Sequence, residues 1–128
     1  MIYLDTSVAL ATLFAEDRRP ADAFWREPLV SSRLLEYELW SRVNARGAGE
    51  THGDAVREVL ARVSLVELAP TVLARALEPF PAPVRTLDAL HLATAAFLLA
   101  SRQRVELATY DGRMREGAKA IGIPLTAL

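Results

Sequence analysis

The chain contains no cysteine and a single lysine, Lys119. Without cysteine there are no disulfides, no zinc–thiolate site and no thiol nucleophile. Charge of one sign is lacking too, since 15 basic residues stand against 16 acidic ones. A near-neutral chain projects no whole-molecule field to gather nucleic acid or an anionic membrane. Long hydrophobic runs are also absent. The longest apolar-looking stretch, ALHLATAAFLLA at 89–100, is too short to span a bilayer and carries His91. The start lacks the basic region and long apolar stretch of a secretory leader. The expectation is a soluble, cytoplasmic protein with no membrane contact.

What is present is enough for one domain. The 128 residues are 52% hydrophobic, enough to fill a core of ordinary size. The basic residues other than Lys119 are all arginine. That suits bidentate contacts to phosphate, although a GC-rich coding bias produces the same composition. No repeat or linker divides the chain, and the Pro-dense PFPAPVR at 79–85 reads as a rigid loop. Residues 1–128 are therefore expected to form a single domain.

Strands and helices alternate along it. IYL at 2–4, LVSS at 29–32, SLVELA at 64–69 and VELATY at 105–110 read as strands, with IPLTAL at 123–128 as a short fifth. Helical patterns fill 6–15, 19–27, 33–47, a stretch capped by Thr51 and running through Val63, a short one from Pro70 to about Glu78, a long one from Thr86 to Arg102, and DGRMREGAKAIG. Gly47 and Gly49 stop the third of these. Such alternation predicts an α/β fold, a small parallel sheet of about five strands with helices on both faces.

That architecture directs attention to the carboxyl ends of the strands, where open α/β sheets bind ligands. Asp5 follows the first strand, in MIYLDTS, and Asp111 follows the fourth, in ATYDGRM. Asp88 lies early in the long apolar helix RTLDALHLATAAFLLA, where an unpaired carboxylate costs several kcal/mol. The helix after the second strand offers Glu36 and Glu38, about 200° apart, so only one of them can face a common site. Each acid also has a plainer reading. Asp5-Thr6-Ser7 and Asp111-Gly112 are capping and turn sequences. Asp88 complements a helix N-terminus, and either glutamate can sit on a solvated face. His91, one turn after Asp88, is placed to hydrogen-bond that carboxylate. Carboxylates about 4 Å apart repel by roughly 4 kcal/mol at an effective dielectric of 20. A cluster of them therefore calls for a hard cation such as Mg²⁺ or Mn²⁺. A cation with carboxylates and retained water suits phosphodiester hydrolysis.

Taken in order, MIYLDTS, SSRLLEYELWSRV, TLDALHLATA and LATYDGRMREGAKAIGIPL resemble a PIN-domain protein of the VapC type, the toxin half of a toxin–antitoxin pair. The resemblance implies an Mg²⁺- or Mn²⁺-dependent endoribonuclease acting on transfer or ribosomal RNA. It assigns the catalytic acids to Asp5, Glu38, Asp88 and Asp111, and so selects Glu38 over Glu36. Asp5 and Asp88 would hold the metal most directly, with Glu38 and Asp111 acting through water. Thr6 and Ser7 match the hydroxyl residues that follow the first Asp. Arg85, Arg113 and Arg115 flank the site segments and are candidates for the RNA backbone. The resemblance also implies a homodimer and a small cognate antitoxin. Phe14, Phe24, Trp25 and Trp40 are candidates for either the core or those interfaces. Two rivals fit less well. An interaction module of the same fold without turnover has no need of four acids, and a stand-alone RNA-processing nuclease without a toxin role is the alternative that keeps them. A phosphotransfer receiver or aspartate-nucleophile phosphatase would want a better-placed lysine, or an Asp where Ser7 stands.

Overall fold

A computed structural model describes residues 1–128. Four short strands form one parallel sheet: β1 (Ile2–Leu4), β2 (Leu29–Ser32), β3 (Val63–Val66) and β4 (Glu106–Ala108), in the order β3-β2-β1-β4. The chain builds outward from β1 to β3, then returns across the sheet to lay β4 on the other side of β1. Ile2 is in register with Leu29 on one side and with Glu106 on the other. Strand order thus reverses at β1, and the ends of β1 and β4 flank the crevice where such sheets bind ligands.

The expected fifth strand contributes one parallel bridge, Leu125 to Leu107. Pro124 lacks the N–H needed to extend a ladder, although its carbonyl accepts from the Leu107 amide.

Side chains on the strands alternate between two cores, as the two-residue strand period requires. Leu4, Leu29 and Ala108 point to one face, among Val8, Leu35, Leu39, Val43 and Val56 of α1 (Thr6–Leu13), α2 (Leu34–Ala45) and α3 (Gly49–Ala61). Tyr3, Val30 and Leu107 point to the other, among Leu92, Ala95, Leu98 and Met114 of α5 (Thr86–Ala100) and α6 (Gly112–Ala120). Burying each large aliphatic side chain contributes about 1.5–3 kcal/mol. Phe14, Phe24, Trp25 and Trp40 are partly buried against the first of these cores. No helix is long and apolar enough to cross a membrane.

Element boundaries differ in instructive places. The expected helix at 19–27 is a 3₁₀ segment over Asp22–Arg26, preceded by Pro20. The stretch from Pro70 splits into α4 (Pro70–Leu73) and a 3₁₀ turn, Ala74–Leu77. Thr51 does not cap α3. The helix begins at Gly49, and the Thr51 hydroxyl donates back to the Ala48 carbonyl. Gly47 closes α2 in the left-handed region at φ +64°, a conformation glycine adopts without strain. Gly117 serves a different purpose. A Cβ there would lie 2.7 Å from Leu92 Cδ1, so its absence lets α6 approach α5 closely.

Candidate active site

At the carboxyl ends of β1 and β4 lies a cavity of about 530 Å³ lined by Asp5, Thr6, Ser7, Glu16, Arg18, Glu38, Arg42, Arg85, Asp88, Tyr110 and Asp111, with Leu10 and Leu87. Five carboxylates face three guanidiniums, a formal surplus of two negative charges. All four acids singled out in the sequence reach this one cavity, from β1, α2, α5 and the end of β4.

Asp5 continues β1, its amide donating to the Ala108 carbonyl at 3.0 Å, and it caps α1. Its Oδ2 accepts from the Ser7 hydroxyl at 2.6 Å and the Thr109 hydroxyl at 2.7 Å. The side chain is 5% exposed, so these charge-assisted bonds hold it in one orientation. Ser7 Oγ also accepts from the Tyr110 amide at 3.0 Å. Its hydroxyl is therefore engaged in fastening the start of α1 to the end of β4. Thr109 extends the same knot by accepting from the Asp111 amide at 3.0 Å.

Asp111 caps α6 through Oδ1, which accepts from the amides of Arg113 and Met114 at 2.8 and 3.4 Å. Capping and facing the cavity are compatible for both Asp5 and Asp111, because each uses one oxygen for the helix.

Glu38 faces the cavity, and Glu36 instead lies on the exposed surface 3.6 Å from Arg33. Glu38 Oε1 accepts from the Thr6 hydroxyl at 2.8 Å and pairs with His91 Nε2 at 2.5 Å. His91 thus meets Glu38 through its ring, where the sequence had it bonded to Asp88. Three residues along α5 place it nearly a turn deeper, under the sheet, and it is 1% exposed. Its Nδ1 lies 2.8 Å from the Tyr3 hydroxyl. Complete burial pushes that hydroxyl far above the usual tyrosine range, so it stays protonated.

Asp88 sits in the first turn of α5 and is the strained member of the set. Its Oδ2 is buried with no hydrogen-bond partner. Desolvation, then the charges of Asp111 and Asp5, push its pKa above the ordinary 3.8. Those couplings show that the three aspartates share one electrostatic neighbourhood.

No three acidic or histidine side chains converge closely enough to enclose a metal ion by themselves. The donor set nevertheless fits a hard cation. It consists of carboxylate oxygens, one of them buried and unpaired, and Mg²⁺ commonly takes one or two carboxylates and fills its shell with water. The expectation of a tight four-acid cluster is thereby replaced by acids spaced around a cavity with room for water.

The arginines are only partly as expected. Arg85 lines the cavity, and Arg113 and Arg115 do not, because α6 runs away from the rim after Asp111. Arg18 and Arg42, which the sequence reading missed, are there instead. Arg42 was discoverable, being one helical turn after Glu38 on the same face. Arg18 was not, because the irregular chain after α1 brings it back over the Tyr110 ring, 4.6 Å from its centre. Thr109 also went unnoticed, although it lies in the TYD segment beside Asp111.

The PIN domain family model matches residues 2–120. Ribonuclease VapC46 of Mycobacterium tuberculosis (strain H37Rv) is 37% identical, over 98% of this chain and 96% of that protein. Ribonuclease VapC35 of the same strain is 34% identical, over 99% of this chain and 96% of its own length. Ribonuclease VapC47 of strain CDC 1551 is 32% identical, over 95% and 93%.

Proposed function

The chain belongs to the PIN-domain family, among the VapC-type ribonucleases, and we propose that it is a divalent-metal-dependent endoribonuclease, the toxin of a toxin–antitoxin pair, built as a single domain over residues 1–128. The observation that carries the reading is the unpaired buried oxygen of Asp88 in a cavity ringed by Asp5, Glu38 and Asp111. The charges of Asp111 and Asp5 bear on Asp88 from distant segments of the chain, and a cation in the cavity would relieve that repulsion.

Asp5 and Asp88 are the residues we assign to holding Mg²⁺ or Mn²⁺, with Glu38 and Asp111 orienting water around it. When bound there, such an ion supplies Lewis-acid polarisation of the phosphoryl oxygen and makes water a nucleophile near neutral pH. The chain's own groups do the positioning. Ser7 and Thr109 hold Asp5 toward the rim. Glu38, anchored through Oε1 by Thr6 and His91, leaves Oε2 to direct water. Arg18, Arg42 and Arg85 neutralise phosphates on either side of the scissile bond, which suits local gripping of RNA by a chain with no global positive field. In-line attack by water leaves a 5′-phosphate and a 3′-hydroxyl. Structured RNA, such as transfer or ribosomal RNA, is the substrate class we assign, recognised by shape and exposed loops. The surplus negative charge of the cavity suits inhibition by a small antitoxin that inserts a basic side chain. The toxin itself we take to be a homodimer.

Antitoxin-free protein is expected to cut structured RNA with Mg²⁺ or Mn²⁺, to stop on addition of EDTA, and to lose cleavage in the Asp5→Asn variant. Asparagine caps a helix as well as aspartate does, so the fold survives the change. Cleavage at the wild-type rate by that variant, or undiminished cleavage in EDTA, refutes the reading.

A further inference from the structure

Behind the cavity, a line of hydrogen bonds runs from the second strand to Glu38. The Ser32 amide donates to the Tyr3 hydroxyl at 3.1 Å. The Tyr3 oxygen lies 2.8 Å from His91 Nδ1, and His91 Nε2 lies 2.5 Å from Glu38 Oε1. Thr6 donates to that same Glu38 oxygen at 2.8 Å. Tyr3 and His91 are almost wholly buried and do not line the cavity. Their rings also meet edge to face, with centroids 5.8 Å apart and planes at 83°.

The direction of the proton donors follows from the chemistry of each group. The Glu38 carboxylate only accepts, so the proton of the His91 ring sits on Nε2. Nδ1 of the neutral ring is then bare and accepts from the Tyr3 O–H, whose oxygen in turn accepts from the Ser32 N–H. The β1–β2 pairing, which seats Tyr3 beside Val30, thereby sets the ring orientation of a histidine on α5, and that ring sets a carboxylate on α2.

We propose that Tyr3 and His91 form a buried positioning pair for the ribonuclease site. The pair locks Glu38 by one oxygen so that the other is presented to the cavity. Neither residue touches substrate, and both act through Glu38. The inference rests on the reading of the cavity as a metal-dependent nuclease site, and extends it to two residues outside that cavity. Groups that orient metal-site ligands in this way commonly change metal affinity or activity by 10–100-fold when removed.

The test compares His91→Leu, His91→Gln and Tyr3→Phe with the wild-type full chain. Glutamine keeps a donor near the Nε2 position and leucine does not. Three readouts are needed: Mn²⁺ affinity by calorimetry, kcat and KM on an RNA oligonucleotide, and the Glu38 conformation in crystals. His91→Leu is expected to weaken Mn²⁺ binding and lower kcat by about 10–100-fold with KM unchanged, and to let Glu38 swing from its observed position. His91→Gln is expected to restore most of the loss, and Tyr3→Phe to fall between. A folded His91→Leu variant with wild-type Mn²⁺ affinity, wild-type kcat and an unmoved Glu38 overturns the proposal. So does a glutamine variant as defective as the leucine one, with losses that simply follow its melting temperature. If His91→Leu does not fold, Tyr3→Phe decides by the same criteria. Wild-type protein that cuts no RNA refutes the nuclease reading alone, because the Glu38 conformation still judges the pair.

Discussion

Asp88→Asn should make the metal-free protein more stable, although it removes a group the reaction needs. Two effects oppose each other. The charge of Asp88 sits in the first turn of α5, where a helix dipole rewards an anion by about 0.3–1 kcal/mol. Against that, its Oδ2 is buried and unpaired, a cost of about 1–3 kcal/mol, and Asp111 and Asp5 add repulsion. The carboxylate is only half-buried, so solvent screens that repulsion to about 1 kcal/mol or less. A neutral amide in the same place still lacks a partner, but costs less than a charge does. The net expected gain is about 1–2 kcal/mol.

At about 2.1 cal/mol/K per residue, a chain of 128 residues gains about 4–7 °C in Tm. The sign with pH follows from the raised pKa of Asp88. Below the ordinary value of 3.8 the group is protonated both folded and unfolded, and the two proteins should melt together. As pH rises through that value toward the raised folded pKa, the wild type loses stability relative to Asp88→Asn, and above it the gap is full. Thermal melts in EDTA from pH 3 to 8 measure this. Adding Mn²⁺ should then raise the wild-type Tm and leave the variant nearly unmoved, since a ligand stabilises only the state that binds it. A variant no more stable than wild type at pH 7 in EDTA would refute the argument that Asp88 is held under electrostatic strain.

Two further expectations bear on the rest of the site. Thr109→Val keeps the shape but removes the hydroxyl that donates to Asp5 and accepts from the Asp111 amide. Urea unfolding should show a loss of about 1–3 kcal/mol, with a fall in kcat because Asp5 is no longer held. Arg42→Ala should weaken binding of a non-cleaved RNA uniformly across sequences, and lower the slope of log affinity against log salt by about one. An unchanged slope would remove Arg42 from the phosphate contacts.

The sequence by itself determined the periodic features of this protein. Short apolar runs alternating with helical patterns dictate a parallel sheet, and the carboxyl ends of β1 and β4 follow from that, with Asp5 and Asp111 on them. The apolar surroundings of Asp88 in α5 were visible as well. Such features depend on residues close in the chain, where spacing alone sets which face a side chain takes. What only the tertiary structure decided is which distant groups meet. Nothing in the spacing of Tyr3, Glu38 and His91 joins them, and local reasoning sent His91 to Asp88, its neighbour one turn away. The packing of α2 and α5 around β1 brought Glu38 closer to the ring and left Asp88 unpaired at the rim. Arg18 reached the cavity, and Arg113 left it, for the same reason. An irregular segment and the direction of a helix axis are settled by the sum of many weak contacts, which no short stretch of sequence contains.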